Sequence, residues 1–186
     1  MNNFIFYGCF DQYNFLNPKT NFYNEWDRIN LLLSNNSQEK MNFVIPIDVF
    51  TLRYLQSIIN LLYGLRTLYS INLQRIYFTL QINQEINEYN IQLLPDHYTE
   101  DIEHVWAFMV KKLIMEENSY SGFYTDEINQ LDRIIEYRKN KIDLKDKNVL
   151  YKKILDKIKV LETLNNKDFS VIFPEMQDFL LLCKQS

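Results

Sequence analysis

Four residues stand where chemistry could be done: Asp11, Asp48, Thr51 and Gln81. Each lies at or near the carboxyl end of an expected parallel strand, and that edge of a sheet is where α/β proteins build their sites. An unpaired carboxylate at a strand end can act as a general base or hold a ligand hydroxyl. The plainer alternative is that Asp11 and Asp48 cap the turns or helices that follow, for backbone reasons alone. Both alternatives stay open in the sequence. His97, Asp101 and His104 fall at i, i+4 and i+7, a spacing at which two imidazoles and a carboxylate could ligate zinc or iron. His97 is expected to precede the helix, which breaks that geometry, so these are read as surface residues and no metal site is assigned. Cys9 and Cys183 stand at opposite ends of the chain with no C-x-x-C pair, so spacing offers neither a zinc site nor a redox pair.

The elements that must position these residues centre on Met41 to Val49, MNFVIPIDV, the clearest strand. Pro46 within it is anomalous, because proline removes a ladder donor and belongs at an edge or bulge. An amphipathic helix follows, with Leu52, Leu55, Ile58, Ile59, Leu62 and Leu65 on one stripe. Phe4 to Phe10, FIFYGCF, predicts a buried strand, and Phe22 to Leu33 a helix. Arg75 to Ile82 predicts the next strand, and Tyr89 to Leu94 a short one stopped by Pro95-Asp96. Thr99 is a candidate cap for a helix running through Trp106 to about Met115. Trp26 and Trp106 are expected in the core. Composition shifts after Glu116. Helices are then expected from Thr125 to about Tyr137, around Leu150 to Leu161, and from Phe173 to Cys183. The alternation of strand and helix implies a parallel sheet with helices packed on it.

The 186 residues are 47% hydrophobic and 24% charged, enough apolar surface for a sizeable core. A net charge of −4 argues against a nucleic-acid binder, which needs a basic patch. The basic stretch Arg133 to Lys159 is interleaved with aspartates and reads as a solvated helix face. No run approaches the roughly 18 apolar residues of a membrane span. The N-terminal apolar run ends by Phe10, too short for a signal peptide, and a reduced, cytoplasmic protein is the expectation.

Several motifs together resemble the C-terminal half of radical S-adenosylmethionine proteins with a twitch-like extension. Gly8-Cys9-Phe10-Asp11 is similar to the Ser-x-Asp element that ends that family's fourth strand, and Trp26-Asp27-Arg28 to the Arg/Trp segment after it. Val49-Phe50-Thr51 with Tyr54-Leu55 resembles the fifth-strand V-F-N and Tyr-Leu pattern. Tyr89 to Pro95 resembles the sixth region, and Asp168-Phe169 with Phe173-Pro174-Glu175 the closing pattern. Cys9 stands where serine is usual and Thr51 where asparagine is usual. The C-x3-C-x2-C cluster motif and the glycine-rich second-strand element have no counterpart here.

The resemblance implies a partial (half) β/α barrel over residues 1–118 and a helical C-terminal extension over 119–186. It implies a chain that lacks the cluster-binding half and needs a partner for any activity. Such a chain binds no cofactor alone, and takes S-adenosylmethionine and an iron–sulfur cluster only when completed. The alternative is a non-catalytic protein-binding module or remnant, so enzyme status stays open. Either way a protein partner or self-association through the open half-barrel is expected, with neither nucleic acid nor membrane as partner.

Overall fold

The computed structural model describes residues 2–35, 38–70, 74–114, 120–141, 144 and 146–186. Three strands, β1 (Asn2–Ile5), β2 (Met41–Ile47) and β3 (Ile76–Ile82), run parallel in the spatial order β1-β2-β3. Among the described residues eight α-helices accompany them: α1 (Phe10–Leu16), α2 (Phe22–Asn35), α3 (Leu55–Tyr69), α4 (Tyr98–Lys111), α5 (Thr125–Lys139), α6 (Lys147–Asn165), α7 (Phe169–Ile172) and α8 (Gln177–Gln185). Among the described residues the fold is an open α/β sheet with no closed barrel.

The two faces of the sheet differ. Register aligns Phe4 with Phe43 and Phe43 with Phe78, and this row is buried together with Met41, Ile45, Ile47, Ile76 and Leu80. The Phe6 ring, just past β1, meets Phe22 of α2 edge-on at 5.7 Å and Trp26 at 6.4 Å. Helix α3 buries Leu55, Ile58, Ile59, Leu62 and Leu65, the stripe its three-to-four spacing predicts. On the opposite face the rows are Asn3–Asn42–Tyr77, Ile5–Val44–Thr79 and Pro46–Gln81. Asn3, Thr79 and Gln81 are exposed, Ile5 keeps 49% of its surface, and the others are half-buried. A parallel sheet normally carries cover on both faces; among the described residues this one carries it on one.

Pro46 sits in the central strand, and the alternation of donors explains how. The amide of Met41 donates to Arg75 O of the β3 side, so the amides of 42, 44 and 46 point towards β1. The last bond between β1 and β2 runs from Phe6 N to Val44 O. Position 46 therefore lies where β1 is already leaving, and proline forfeits little there. Gly8 at φ 149° and Phe10 at φ 50° then turn the chain into α1.

The outer edge of β3 is covered by α5. Gln130 Oε1 accepts from Leu80 N at 2.7 Å. A buried ion pair fixes that helix: Arg66 of α3 grips Glu127 with two bonds of 2.5 and 2.8 Å. The same guanidinium donates to Ile76 O and Gly122 O and lies over the rings of Phe78 and Phe123. Gly122 must be glycine, because a Cβ there would stand 2.1 Å from Lys112 O. The tail packs through aromatic rings: Phe169 stacks on Phe173 at 4.5 Å, and these rings touch Phe15, Phe50 and Tyr54.

Several expectations need correction. The first strand stops at Ile5, and residues 10–16 are helix, because the turn at Gly8 to Phe10 interrupts what reads as one apolar run. Tyr89 to Leu94 is not a strand; Ile91–Leu93 is a 3₁₀ turn, since the Asn90 side chain accepts from Gln92 N and captures the backbone. His97, not Thr99, holds the N-cap position of α4. Trp106 keeps 37% of its surface exposed rather than joining the core. The expected boundary at 118 falls on residues 115–119, outside the described residues; one core runs from Phe4 to Cys183. No helix among the described residues is long and apolar enough to cross a membrane.

Candidate functional site

The carboxyl ends of β2 and β3 open into a cleft of about 590 Å³ whose wall includes Pro46, Asp48, Gln81, Asn83, Gln84 and Tyr89. A second hollow of about 240 Å³ adjoins it, sharing Asp48 and Tyr89 and adding Tyr7, Phe50 and Lys157. Asp48 thus stands at the junction, directly after the central strand. Lys157 and Leu161 bring α6 into the wall.

A tight turn holds Asp48. Its Oδ1 accepts from Phe50 N at 2.9 Å and Thr51 N at 3.0 Å. Thr51 is fully buried; its hydroxyl donates to Pro46 O at 2.5 Å and accepts from Asp48 N at 2.9 Å. Thr51 therefore braces the turn and does not face a ligand. Asp48 is half-buried. Burial pushes its carboxyl up to about 6, partly offset by the amides of Phe50 and Thr51 and by the Thr51 side chain. Oδ2 has no hydrogen-bond partner among the described residues. A carboxyl with one oxygen fixed, the other free and a proton exchanging near neutrality is suited to acid–base work or to accepting from a hydroxyl.

The loop after β3 forms the opposite wall, and its asparagines pre-shape it. Asn83 Oδ1 accepts from Glu85 N, Asn87 Oδ1 accepts from Tyr89 N, and Asn90 Nδ2 donates to Glu85 O at 2.8 Å. Tyr89 is tied to the turn at Asp48 through Val49 N, which donates to Tyr89 O. The side chains of Gln81 and Gln84 and the hydroxyl of Tyr89 have no protein partner among the described residues.

Of the four residues expected at the rim, Asp48 and Gln81 line the cleft and Thr51 lies beneath it. Asp11 is apart: it sits in the first turn of α1, largely exposed, 3.7 Å from Lys167. Sequence reasoning missed Gln84 and Tyr89, which lie in a stretch that reads as a polar loop and a strand. The signal was the spacing of Asn83, Asn87 and Asn90, residues that fold a loop on itself. His97 and Asp101 have other partners: His97 Nε2 lies 2.9 Å from Asp178, and Asp101 pairs with Arg53. Among the described residues no group of three His, Cys, Asp or Glu could hold a metal ion.

The residues present do not fit an iron–sulfur cluster. Cys9 and Cys183 are both buried, and burial pushes each thiol up to about 12, away from the thiolate a cluster needs. No family model, no curated protein and no solved structure matches this chain.

Proposed function

We propose that this chain is one half of a β/α barrel, of the radical S-adenosylmethionine kind its motifs resemble, and that it works only when a second polypeptide completes the sheet. The observation that supports this is the bare face of a purely parallel sheet. Asn3, Asn42, Thr79 and Gln81 alternate there with Ile5, Val44, Pro46 and Tyr77, a mixture that suits a wet barrel lumen better than a dry core. The two sheet edges add to the reading. The β3 edge is capped by Gln130, whereas β1 has no strand beyond it among the described residues. In the family β1 would be the fourth strand, so the missing third strand would join at that open edge. The partner would bring the cluster and S-adenosylmethionine, and this chain the rim around Asp48.

The test is co-expression with the neighbouring reading frame, if that frame carries C-x3-C-x2-C. A one-to-one complex that Ile5→Lys disrupts, with the isolated chain still folded, is expected. A neighbouring frame without the motif, or two chains that never associate, overturns the proposal.

A further inference from the structure

We propose that the cleft at Asp48 binds a neutral, hydroxyl-rich ligand of the sugar or polyol class. The cleft is built wholly from this chain, so the inference stands or falls apart from any partner. Its volume lies in the range of small-molecule sites. Gln81, Gln84 and Tyr89, whose side-chain polar groups have no protein partner among the described residues, line it together with Asp48. Gln81 and Gln84 are exposed and Tyr89 is half-buried, so solvent meets these groups when no ligand does. Here the surrounding asparagines satisfy the loop's own backbone and leave these groups to solvent or a ligand.

The mixture of groups selects the ligand chemistry. Amides donate and accept, a carboxylate accepts, and a phenol does both. A hydroxyl also does both, so a polyol can satisfy all of them at once. An anion such as phosphate would meet Asp48 and Glu85, with no cation in the larger hollow. The single lysine, Lys157, lies in the smaller one. A polyamine would pair with the carboxylates but leave the amide N–H groups unmatched. The half-buried Tyr89 ring, held edge to face at 6.4 Å against the buried Phe50, offers the apolar surface against which the C–H face of a sugar packs.

The experiment is saturation-transfer NMR on the isolated full chain with maltose, adenosine and spermidine in separate samples, and phosphorus-31 line broadening for inorganic phosphate. Transfer to maltose protons is the expected result. Transfer to the ribose protons of adenosine as well, competed by maltose, identifies the polyol itself as the feature bound. Gln81→Ala and Gln84→Ala remove exposed side chains without protein partners, so the fold is kept. Each is expected to weaken binding roughly three- to tenfold, the worth of one neutral hydrogen bond. Absence of transfer to maltose overturns the proposal. So does maltose binding that neither variant changes, or binding of phosphate or spermidine alone.

Discussion

At the scale of the residue, Asp48 gathers most of the inference. Its pKa of about 6 in the folded chain exceeds the ordinary carboxyl value of about 3.9. The folded state then holds the proton more tightly than the unfolded one, and the stability this gives at low pH is lost as pH rises through about 6. Asparagine carries no such proton, yet keeps an oxygen for the amides of Phe50 and Thr51. Asp48→Asn is therefore expected to gain on the wild type between about pH 4 and about pH 7, by roughly 1–3 kcal/mol. Urea denaturation across that range reads it, and a gap that does not move with pH refutes it. Thr51 makes a second case. Thr51→Val leaves Asp48 N and Pro46 O without their partner and is expected to cost about 1–3 kcal/mol. Thr51→Ser keeps the hydroxyl and should recover most of that. Equal losses in both variants would mean the methyl group, not the hydroxyl, matters. Both residues read as rim positions in the sequence, but only Asp48 lines the cleft. That Thr51 points inward was not legible, since spacing does not say which partner a hydroxyl takes.

At the scale of the element, periodicity served best where one face is buried. The stripe of α3 and the alternation in β2 both follow from their sequence patterns, and the parallel order follows from their alternation with helices. Periodicity failed where the backbone turns. FIFYGCF is continuous in hydrophobicity, and only the glycine marks where β1 ends. Tyr89 to Leu94 has the composition of a strand, but Asn90 competes for the backbone. The role of Arg66 is not legible, because a single arginine in an apolar helix normally reaches solvent; here Glu127 lies 61 residues away in sequence and no local pattern reveals it. Glu127→Gln is expected to cost about 3 kcal/mol or more, since it leaves a buried guanidinium without its counter-charge. An equilibrium unfolding midpoint reads this directly. A loss under about 1 kcal/mol, the ordinary worth of an exposed pair, would mean that water reaches the site.

At the scale of the whole molecule, the sheet has one buried and one bare face, and that asymmetry can be tested without any partner. Charge on the bare face is expected to be tolerated. Ile5→Lys and Thr79→Lys should each shift stability by no more than about 0.5 kcal/mol, as for surface positions generally. Phe43→Lys, one residue away from that face in the pleat, should abolish folding, because its side chain is fully buried. The contrast follows from the period of two along a strand, which sends neighbours to opposite faces. Thermal unfolding of the three variants at one concentration decides it. If Ile5→Lys lowers the melting temperature, the face is covered in solution, and sedimentation should then show the wild type as a dimer and the variant as a monomer. If all three variants behave alike, or if Thr79→Lys is as damaging as Phe43→Lys in a monomer, the bare face does not exist in solution and the half-barrel reading loses its main support.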